Sequence, residues 1–541
     1  MKNAKCKTKK YKFLSENKTN FKDLSDVILD AARILRKSLN ASENYKPVLA
    51  LLFIKRLNDT FEEKVKKLMD SGMTEDEARK PRRHDFYVPP EARWKVEDAN
   101  GKIIDGLMGE TKNIGTALIK VCKAIEKSKE ILEDTMSYSE FNKKKKYPDS
   151  ALRELIHNFD NINLSNDSLE NPDVLGDAYE YLLETFADET KKKGGQFYTP
   201  REVVQLLVEL MEPEADHKIC DPTCGSGGML IHSRIFAEKN LKKLGLSDEE
   251  MNKKLRNMTL HGQESNPDTV SMCKMNMVLH EIVDTKIEHG DTLEKPKLID
   301  GSELIKYHRV LANFPFSEDW KPSGKDKDAF ERFRYGLPPG DKKADFAFIQ
   351  HMLASLNDEG KAAIVSGQGV LFRSAKEEEI REKMVLGDEK ENLQGDVIEG
   401  IIALPKKLFF GTPIPGCVFI LNRNKPKERK DKIIFINAAR KDHFADLPAR
   451  NKLLKENIKE IVEAFKSYKN EMGFCHVADL KEIKENNFNL NVSRYIDISD
   501  PEKPISIPKT IDEINELKIC VKESQEKVRL DLEKLELGSL D

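Results

Sequence analysis

Apolar residues recur at helical spacing through roughly the first third of the chain. From about residue 20 to residue 165, segments such as LSDVILDAARILRKSL and YKPVLALLFIKRLNDTFEEKVKKL place apolar side chains three and four positions apart, with charged side chains on the other faces. This spacing predicts a helical N-terminal domain over residues 1–165. The next segment, Ser165–Asp173, is rich in Asn and Asp and predicts a connection, with Asp173 as the N-cap of the following helix.

The pattern changes after residue 175. Short apolar or β-branched runs (MTLHG, RVLANF, KAAIVSG, VIEGIIALP, CVFILN, KIIFIN) alternate with helical stretches such as REVVQLLVELM and FAFIQHMLASL. Strands that alternate with helices predict βαβ units, and therefore an α/β domain over residues 166–440 with a mostly parallel sheet covered by helices on both faces. Ligands of such sheets bind at the carboxyl ends of the strands.

Residues 441–541 are charged and return to helical periodicity, with one proline-rich break at SDPEKPISIPKT. The last stretch, IDEINELKICVKESQEKVRLDLEKLEL, has apolar residues about 3.5 positions apart, which is typical of a coiled coil or of a helix docked on a partner. A solvated terminal helix is the alternative. We expect a helical C-terminal region that binds a partner.

Composition narrows the class of protein. Charged residues make up 34% of the 541 residues and hydrophobic residues 39%, and no apolar run reaches the roughly 18 residues that a membrane helix needs. The basic N-terminus lacks the apolar run of a secretion signal, which predicts a cytoplasmic protein. Eight cysteines without a CxxC pair predict reduced thiols and no structural metal.

The net charge of −3 argues neither for nor against binding of nucleic acid. Two local patches, the first dozen residues and Lys143–Lys146, are basic enough to contact phosphates. A solvated surface explains each patch equally well.

A glycine-rich turn is the first candidate for chemistry. The segment KICDPTCGSGGML contains Asp221, followed by Gly225, Ser226, Gly227 and Gly228 ahead of a predicted helix. Glycines at a strand-to-helix turn let the backbone approach a ligand closely, and the helix dipole favours an electronegative group there. No Gly-Lys-Ser/Thr follows, so the turn is not a phosphate loop of the nucleotide triphosphatase kind.

Two acids follow later apolar runs. Glu264 in LHGQES stands at the tip of the second predicted strand, where a carboxylate can accept hydrogen bonds from ribose hydroxyls. Asp291 in IEHGDTL follows a third run, where a carboxylate can accept from the exocyclic amine of an adenine. Each acid alone has a ready explanation as a helix cap or a surface residue, but together with the turn they outline a site for an adenosine-containing cofactor.

The segment LANFPFSEDW ends an apolar run with Asn313, Phe314, Pro315 and Phe316. An asparagine amide at the end of a core strand needs several hydrogen-bond partners, and two aromatic rings flanking a proline suggest a platform for a planar group. The alternative is a strand end broken by proline whose phenylalanines belong to the core.

Taken in order, these motifs resemble the amino-group DNA methyltransferases that use S-adenosylmethionine, and more narrowly the modification (methylation) subunit of type I restriction-modification systems. The resemblance covers nearly the whole chain, including the helical stretch YKPVLALLFIKRLND. The matching segments are GGQFYTPREVV, DPTCGSGG, GQE, GD, NFPF, DFAFIQHML and VIEGIIALPKKLFFGTPIPGCVFILN.

The resemblance implies a Rossmann-like methyltransferase fold with S-adenosylmethionine as the cofactor. It assigns the methionine part of the cofactor to Asp221 and the loop Gly225–Gly228, the ribose to Glu264 and the adenine amine to Asp291. The segment implied to close over the methionine part is Gln196, Phe197, Tyr198, Thr199 and Pro200, with Arg201. Phe197 and Tyr198 have ordinary core aromatics as their alternative reading.

The resemblance further implies transfer of a methyl group to N6 of an adenine flipped out of double-stranded DNA. The amide oxygen of Asn313 and the backbone carbonyl of Phe314 would hold the adenine amine, and Phe316 would stack on the base. The commoner family pattern is Asn-Pro-Pro-aromatic, and this chain has Phe314 in the second place. A residue that acts through its carbonyl tolerates that change, and Pro315 restricts Phe314 to extended backbone angles.

The charged texture after residue 440 differs from that of a domain that reads base sequence, so we expect DNA specificity to come from another polypeptide. The resemblance implies that this partner is a specificity subunit bound by two copies of this chain, and that a restriction subunit joins the complex. Two other functions stay open on the residues alone. One is methylation of the N4 amine of cytosine or of a protein amide, and the other is a catalytically weak scaffold that clamps DNA.

Overall fold

The computed structural model describes most of the chain. The described residues are 18–35, 41–98, 102–133, 135–136, 140–170, 174–176, 178, 181–182, 199–316, 318–320, 328–339, 344–409, 412–447, 450–497 and 507–534. They divide into two compact units, which span Met1–Ile496 and Asp497–Asp541.

The N-terminal part of the first unit is helical. Its elements are α1 (Phe21–Leu35), α2 (Ala41–Asp70), α3 (Glu75–Ala78), α4 (Ile114–Glu126) and α5 (Asp149–Asp160), with a small antiparallel pair β1 (Val96–Glu97) and β2 (Ile103–Asp105). Apolar residues three and four positions apart in α1 and α5 are buried in one shared core, as the helical spacing predicts. The predicted helical N-terminal region is confirmed.

The remaining part of the first unit alternates strands and helices. Its strands are β3 (Lys218–Asp221), β4 (Thr259–Glu264), β5 (Thr285–His289), β6 (Ile299–Asp300), β7 (Glu303–Leu304), β8 (Tyr307–Asn313), β9 (Leu356–Gly367), β10 (Ile398–Ala403), β11 (Gly416–Asn422), β12 (Lys432–Asn437) and β13 (Cys475–Asp479). Its helices are α6 (Arg201–Met211), α7 (Gly228–Lys243), α8 (Asp248–Leu255), α9 (Pro267–Leu279), α10 (Asp345–Ala354), α11 (Lys376–Leu386), α12 (Lys455–Ser467) and α13 (Leu480–Glu485).

Nine of these strands form one sheet in the order β13-β12-β10-β11-β9-β8-β3-β4-β5. The run β9-β8-β3-β4-β5 is parallel throughout, and so is the pair β10-β12, whereas β11 and β13 run antiparallel to their neighbours. Two hydrophobic cores contain the buried residues of the two faces, so the strands read as nearly continuous apolar runs. The predicted α/β class with a mostly parallel sheet is confirmed.

The sheet extends beyond residue 440, where the sequence predicts its end. Strand β13 pairs with β12, from Lys432 opposite Asp479 to Ile436 opposite Cys475. This strand, CHVAD, lies at the edge of the sheet and has only two buried residues, so it lacks the apolar run that marks the inner strands. The helical C-terminal region therefore begins later than predicted.

The second unit contains one long helix, α14 (Ile507–Lys534). Its described side chains are mostly exposed, and they include the apolar residues Ile511, Ile514, Leu517, Ile519, Val521, Val528 and Leu530. The predicted terminal helix is confirmed. Within the described residues, no helix is both long and apolar enough to cross a membrane.

The order of the strands places a ligand site at the middle of the sheet. From β3 the chain proceeds to β4 and β5 on one side, and it later returns to β8 on the other side of β3. Such a reversal of strand order opens a crevice at the carboxyl ends of the strands, where α/β proteins bind ligands.

Candidate functional site

One cleft lies at the carboxyl ends of the central strands. It encloses about 1000 Å³ when its open mouth is included. Strand β3 contributes Asp221, β4 contributes Glu264 and β8 contributes Asn313 to its wall. The other lining residues are Thr199, Arg201, Val204, Pro222, Thr223, Cys224, Gly225, Ser226, Gly228, Met229, Ser265, Asp291, Thr292, Pro315, Glu318 and Phe348.

The turn between β3 and α7 requires glycine at two positions. Gly225 and Gly227 have φ values of +52° and +86°, which side chains with a Cβ rarely adopt. A Cβ at Gly227 would also lie 2.9 Å from Sγ of Cys273 in α9. Helix α7 begins at Gly228, so the amides of its first turn face the cleft without partners inside the helix.

Asp221 is buried at the base of the cleft. Its Oδ1 accepts a hydrogen bond of 3.0 Å from the backbone amide of Thr223. Burial raises the pKa of Asp221 to about 8, and the nearby carboxylate of Glu264 adds to that rise. A ligand with a positive charge at this point would stabilise the ionised form.

Glu264 holds the turn together. Its Oε2 accepts from the amide of Gly225 at 3.1 Å, and its Oε1 accepts from the amide of Asn266 at 2.8 Å. Burial raises the pKa of this carboxyl as well, while these hydrogen bonds favour its ionised form. The side chain thus orders the glycine turn in addition to lining the cleft.

Asp291 belongs to a turn after β5 that is fixed from outside the cleft. Its Oδ1 accepts from the amides of Leu293 and Glu294, at 2.8 and 3.0 Å. The buried guanidinium of Arg332 donates to the carbonyls of Thr292 and Leu293, at 3.2 and 2.9 Å. Arg332 was not expected from the sequence, because the turn that it supports lies about forty residues away and is contacted only through backbone carbonyls.

Asn276 is a second supporting residue that the sequence does not reveal. It lies in α9 with its side chain fully buried, and its Nδ2 donates to the carbonyl of Ser226 in the glycine turn at 2.9 Å. In sequence it is an ordinary polar residue among the methionines of MCKMNMVL.

The amide of Asn313 has a defined orientation. Its Nδ2 donates to Oγ1 of Thr199 at 3.0 Å, so Oδ1 is the atom left to accept from a ligand. Thr199 comes immediately before Pro200, which is the N-cap of α6. Two residues from separate predicted motifs, Asn313 and Thr199, are therefore brought together.

The two phenylalanines of the NFPF segment have different environments. Phe314 is buried, and its ring stacks on Phe348 with centroids 4.8 Å apart, so its side chain is part of the core. Phe316 is half-buried, and its ring meets the edge of Phe409 at 5.7 Å with planes at 79°. Phe409 was not singled out in the sequence, although it falls in the quoted segment KKLFFGTPIPG.

The remaining predicted site residues fall into two groups. Arg201, Ser226 and Gly228 line the cleft, and Gly227 and Pro200 shape the turns beside it. The second group, Gln196, Phe197 and Tyr198, lies outside the described residues.

Comparison with known proteins gives two family matches. The family described as N-6 DNA Methylase matches residues 170–503, and the HsdM N-terminal domain matches residues 24–159. The chain is 35% identical over 492 residues to the type I restriction enzyme MjaVIII methylase subunit of Methanocaldococcus jannaschii. The aligned residues cover 88% of this chain and 78% of that protein. The MjaVII methylase subunit of the same organism is 32% identical over 550 residues, covering 98% of this chain and 87% of that protein.

A solved structure has a similar fold. The crystal structure of the type I restriction-modification system methyltransferase subunit from Streptococcus thermophilus matches with a TM-score of 0.71 and 26% sequence identity. The match covers 88% of this chain and all of that one. The similarity therefore includes the helical N-terminal part and the sheet.

Proposed function

Since this chain belongs to the N-6 DNA methylase family and, within it, to the methylase subunits of type I restriction enzymes, we propose that its cleft binds S-adenosylmethionine and that Asn313 and Phe316 hold the target adenine. The protein is an adenine-specific DNA methyltransferase, the modification subunit of a type I restriction-modification enzyme. The family match favours adenine over the N4 amine of cytosine and over a protein amide. The relatives favour an enzyme over a scaffold.

The cleft offers a suitable group for each part of the cofactor. The sulfonium and ammonium groups of S-adenosylmethionine are positive, and Asp221 lies buried at the base of the cleft beside the glycine turn. Glu264 accepts from the ribose hydroxyls, and Asp291 accepts from the adenine amine. Thr199, Pro200 and Arg201 cover the methionine part.

The cofactor supplies an activated methyl group, and the protein supplies alignment and electrostatics. The exocyclic nitrogen of adenine is a weak nucleophile because its lone pair is delocalised into the ring. Oδ1 of Asn313 and the carbonyl of Phe314 accept its two hydrogens, which favours tetrahedral geometry and stabilises the positive charge that develops on nitrogen. The buried ring of Phe314 fits a residue that acts through its backbone.

The target base must leave the duplex to reach this site. Flipping costs a few kcal/mol, and stacking on an aromatic ring recovers part of that free energy. Phe316 provides the stacking surface, and the buried ring of Phe409 packs against Phe316 edge to face and supports it. The observation that carries this proposal is the orientation of Asn313, whose amide is set by Thr199 with its acceptor oxygen left for the substrate.

Asn313→Ala removes the side-chain acceptor, and we expect methyl transfer by the assembled complex to fall by about 10²- to 10³-fold, the loss typical of one preorganised polar group in a transition state. N6-methyladenine in DNA digests, measured by mass spectrometry, reports the transfer. Cofactor affinity, measured by calorimetry, stays within about twofold because the turn and its acids are unchanged.

The matched control is Asn252→Ala, which truncates an exposed asparagine in α8, away from the cleft lining. Transfer by Asn313→Ala at the rate of this control would show that residue 313 does not hold the amine. N4-methylcytosine in place of N6-methyladenine would reassign the substrate.

We further propose that two copies of this chain bind one specificity subunit, that a restriction subunit joins the complex, and that the complex acts on double-stranded DNA in the cytoplasm. The relatives' names describe subunits of restriction enzymes, which supports assembly with partners. Native mass spectrometry of the co-expressed complex measures the stoichiometry, and a ratio of one to one would contradict it.

A further inference from the structure

Two consecutive residues hold a segment of main chain beside the cleft. Nη1 of Arg450 donates to the carbonyl of Leu408 at 3.1 Å, the amide of Asn451 donates to the carbonyl of Lys407 at 2.9 Å, and Nδ2 of Asn451 donates to the carbonyl of Lys406 at 2.9 Å. Three successive carbonyls are thus bound from one side. The middle one belongs to Lys407, whose φ of +55° is unfavourable for a residue with a Cβ and persists only where the surroundings impose it.

The held segment leads directly into Phe409. This ring is 7% exposed, and the more exposed ring of Phe316 in the proposed target site meets it edge to face. Gly416 packs behind the ring, since a Cβ there would lie 2.8 Å from Cε2 of Phe409. The main chain at residues 406–408 therefore determines the position of Phe409, the ring that supports Phe316.

Arg450 also reaches the other side of the site. The same Nη1 lies 2.8 Å from Oε1 of Glu202, a buried acid in the first turn of α6. Thr199, which orients the amide of Asn313, lies three residues before Glu202. One guanidinium group thus joins the segment that carries Phe409 to the helix that follows Thr199.

We propose that Arg450 and Asn451 are positioning residues for the target adenine, an inference that rests on the proposed function of Phe316 and Phe409. They act through the main chain of residues 406–408 and through Glu202, so that Phe316, supported by Phe409, and Asn313 keep the spacing that admits a flipped base. The cofactor end of the cleft depends on other contacts, those of Asn276 and Arg332. Loss of the contacts that Arg450 and Asn451 make therefore weakens binding of the base and leaves binding of the cofactor unchanged.

The test uses the complex of this chain with its specificity subunit and a DNA duplex that carries 2-aminopurine at the methylated adenine. Arg450→Gln and Asn451→Ala are each expected to raise KM for DNA by about tenfold, in the range that loss of a hydrogen bond to a charged or buried group produces. The rise in 2-aminopurine fluorescence on binding falls accordingly. The Kd for S-adenosylmethionine, measured by calorimetry, changes less than about twofold.

The matched control is Lys452→Gln, which removes a neighbouring positive charge from an exposed side chain and leaves the backbone pairing of Lys452 with Ala445 in place. It is expected to match the parent. If Arg450→Gln does not fold, Arg450→Lys keeps a charge opposite Glu202, loses the planar fork and is judged by the same split between KM for DNA and Kd for the cofactor.

Phe316→Ala, measured in parallel, separates the two proposals. If Phe316→Ala behaves as the parent, the proposed base site itself is wrong. If Phe316→Ala weakens flipping while Arg450→Gln and Asn451→Ala match Lys452→Gln, the positioning inference alone is overturned. Equal losses of DNA binding and of cofactor binding in Arg450→Gln and Asn451→Ala would also overturn the positioning inference, because they would indicate a general structural role.

Discussion

At the scale of single residues, the burial of Asp221 controls how the cleft responds to a positive ligand. None of the ion pairs among the described residues involves this carboxyl, and burial raises its pKa to about 8. The protein without ligand therefore holds a proton there at neutral pH. A cationic ligand displaces that proton, so Asp221 becomes negatively charged only when such a ligand is bound.

The pH dependence of stability tests this state of Asp221. In the unfolded chain its pKa is near 3.8, and in the folded chain it is about 8, so the unfolded state loses the proton first as pH rises. The free energy of unfolding consequently falls between these two values, by at most about 1.4 kcal/mol per pH unit from this group. Asp221→Asn removes the effect, and its Tm relative to the parent should rise from pH 6 to pH 8.

Thermal unfolding without cofactor, in buffers from pH 6 to pH 8.5, measures the difference in Tm. Asp26→Asn provides the control, because this exposed acid lies in α1, outside the cleft lining. Parallel profiles of Tm against pH for Asp221→Asn and the parent would show that Asp221 is ionised in the folded protein.

At the scale of elements, the strands that the sequence reveals are those buried on both sides. Strands β11 and β12, CVFILN and KIIFIN, are nearly all apolar because both faces of the sheet are covered. The edge strand β13 was missed because one partner strand and few buried positions impose no such pattern. Helix α1 was predicted because one face of it lies in the core.

Some residues of the candidate site were also predictable from the sequence, and others were not. Gly225, Gly227, Glu264 and Asn313 were predictable because local backbone geometry or a strand end fixes their positions. Arg332 and Arg450 contact backbone carbonyls tens of residues away. Because every residue has a backbone carbonyl, no sequence pattern marks these partners. Supporting residues of this kind become visible only once the chain is folded.

Helix α14 exposes a stripe of apolar residues. Ile514, Val521 and Val528 are each about half exposed and stand seven residues apart, so they share one stripe of the helix. Ile514→Glu combined with Val521→Glu is expected to reduce co-purification of the specificity subunit by at least about tenfold, because charges replace apolar groups that a partner helix would bury. Size-exclusion chromatography of co-expressed subunits measures the complex.

Ile519→Glu is the control, since this exposed residue lies on another face of α14. It should assemble as the parent does. Assembly of the double variant at the parent's level would show that the stripe is not the docking surface.

At the scale of the whole first unit, α9 belongs to two cores. Met272, Met275, Val278 and Leu279 pack into the core of the N-terminal helices, whereas Val270, Cys273 and Met277 pack under the sheet. Polar contacts reinforce the junction: Lys46 pairs with Asp268 at 2.5 Å. The helical part and the sheet are thus joined through the helix whose Asn276 supports the glycine turn.

Met275→Ala tests this sharing. Truncation of a fully buried methionine costs about 2–5 kcal/mol. We expect faster hydrogen exchange in peptides from α2, although α2 is some two hundred residues away in sequence. Met258→Ala, in the core under the sheet, is the control and should leave α2 peptides at the parent's rate in native conditions. Unchanged exchange of α2 in Met275→Ala would contradict the shared core.

Because α9 packs into both cores, it restricts how such proteins can be recombined. Swapping the N-terminal helices for those of a relative also replaces the neighbours of Met272, Met275, Val278 and Leu279, which remain behind with the recipient. A working chimera must therefore cut the chain so that α9 travels with the incoming helices, or carry compensating substitutions on that one helix face.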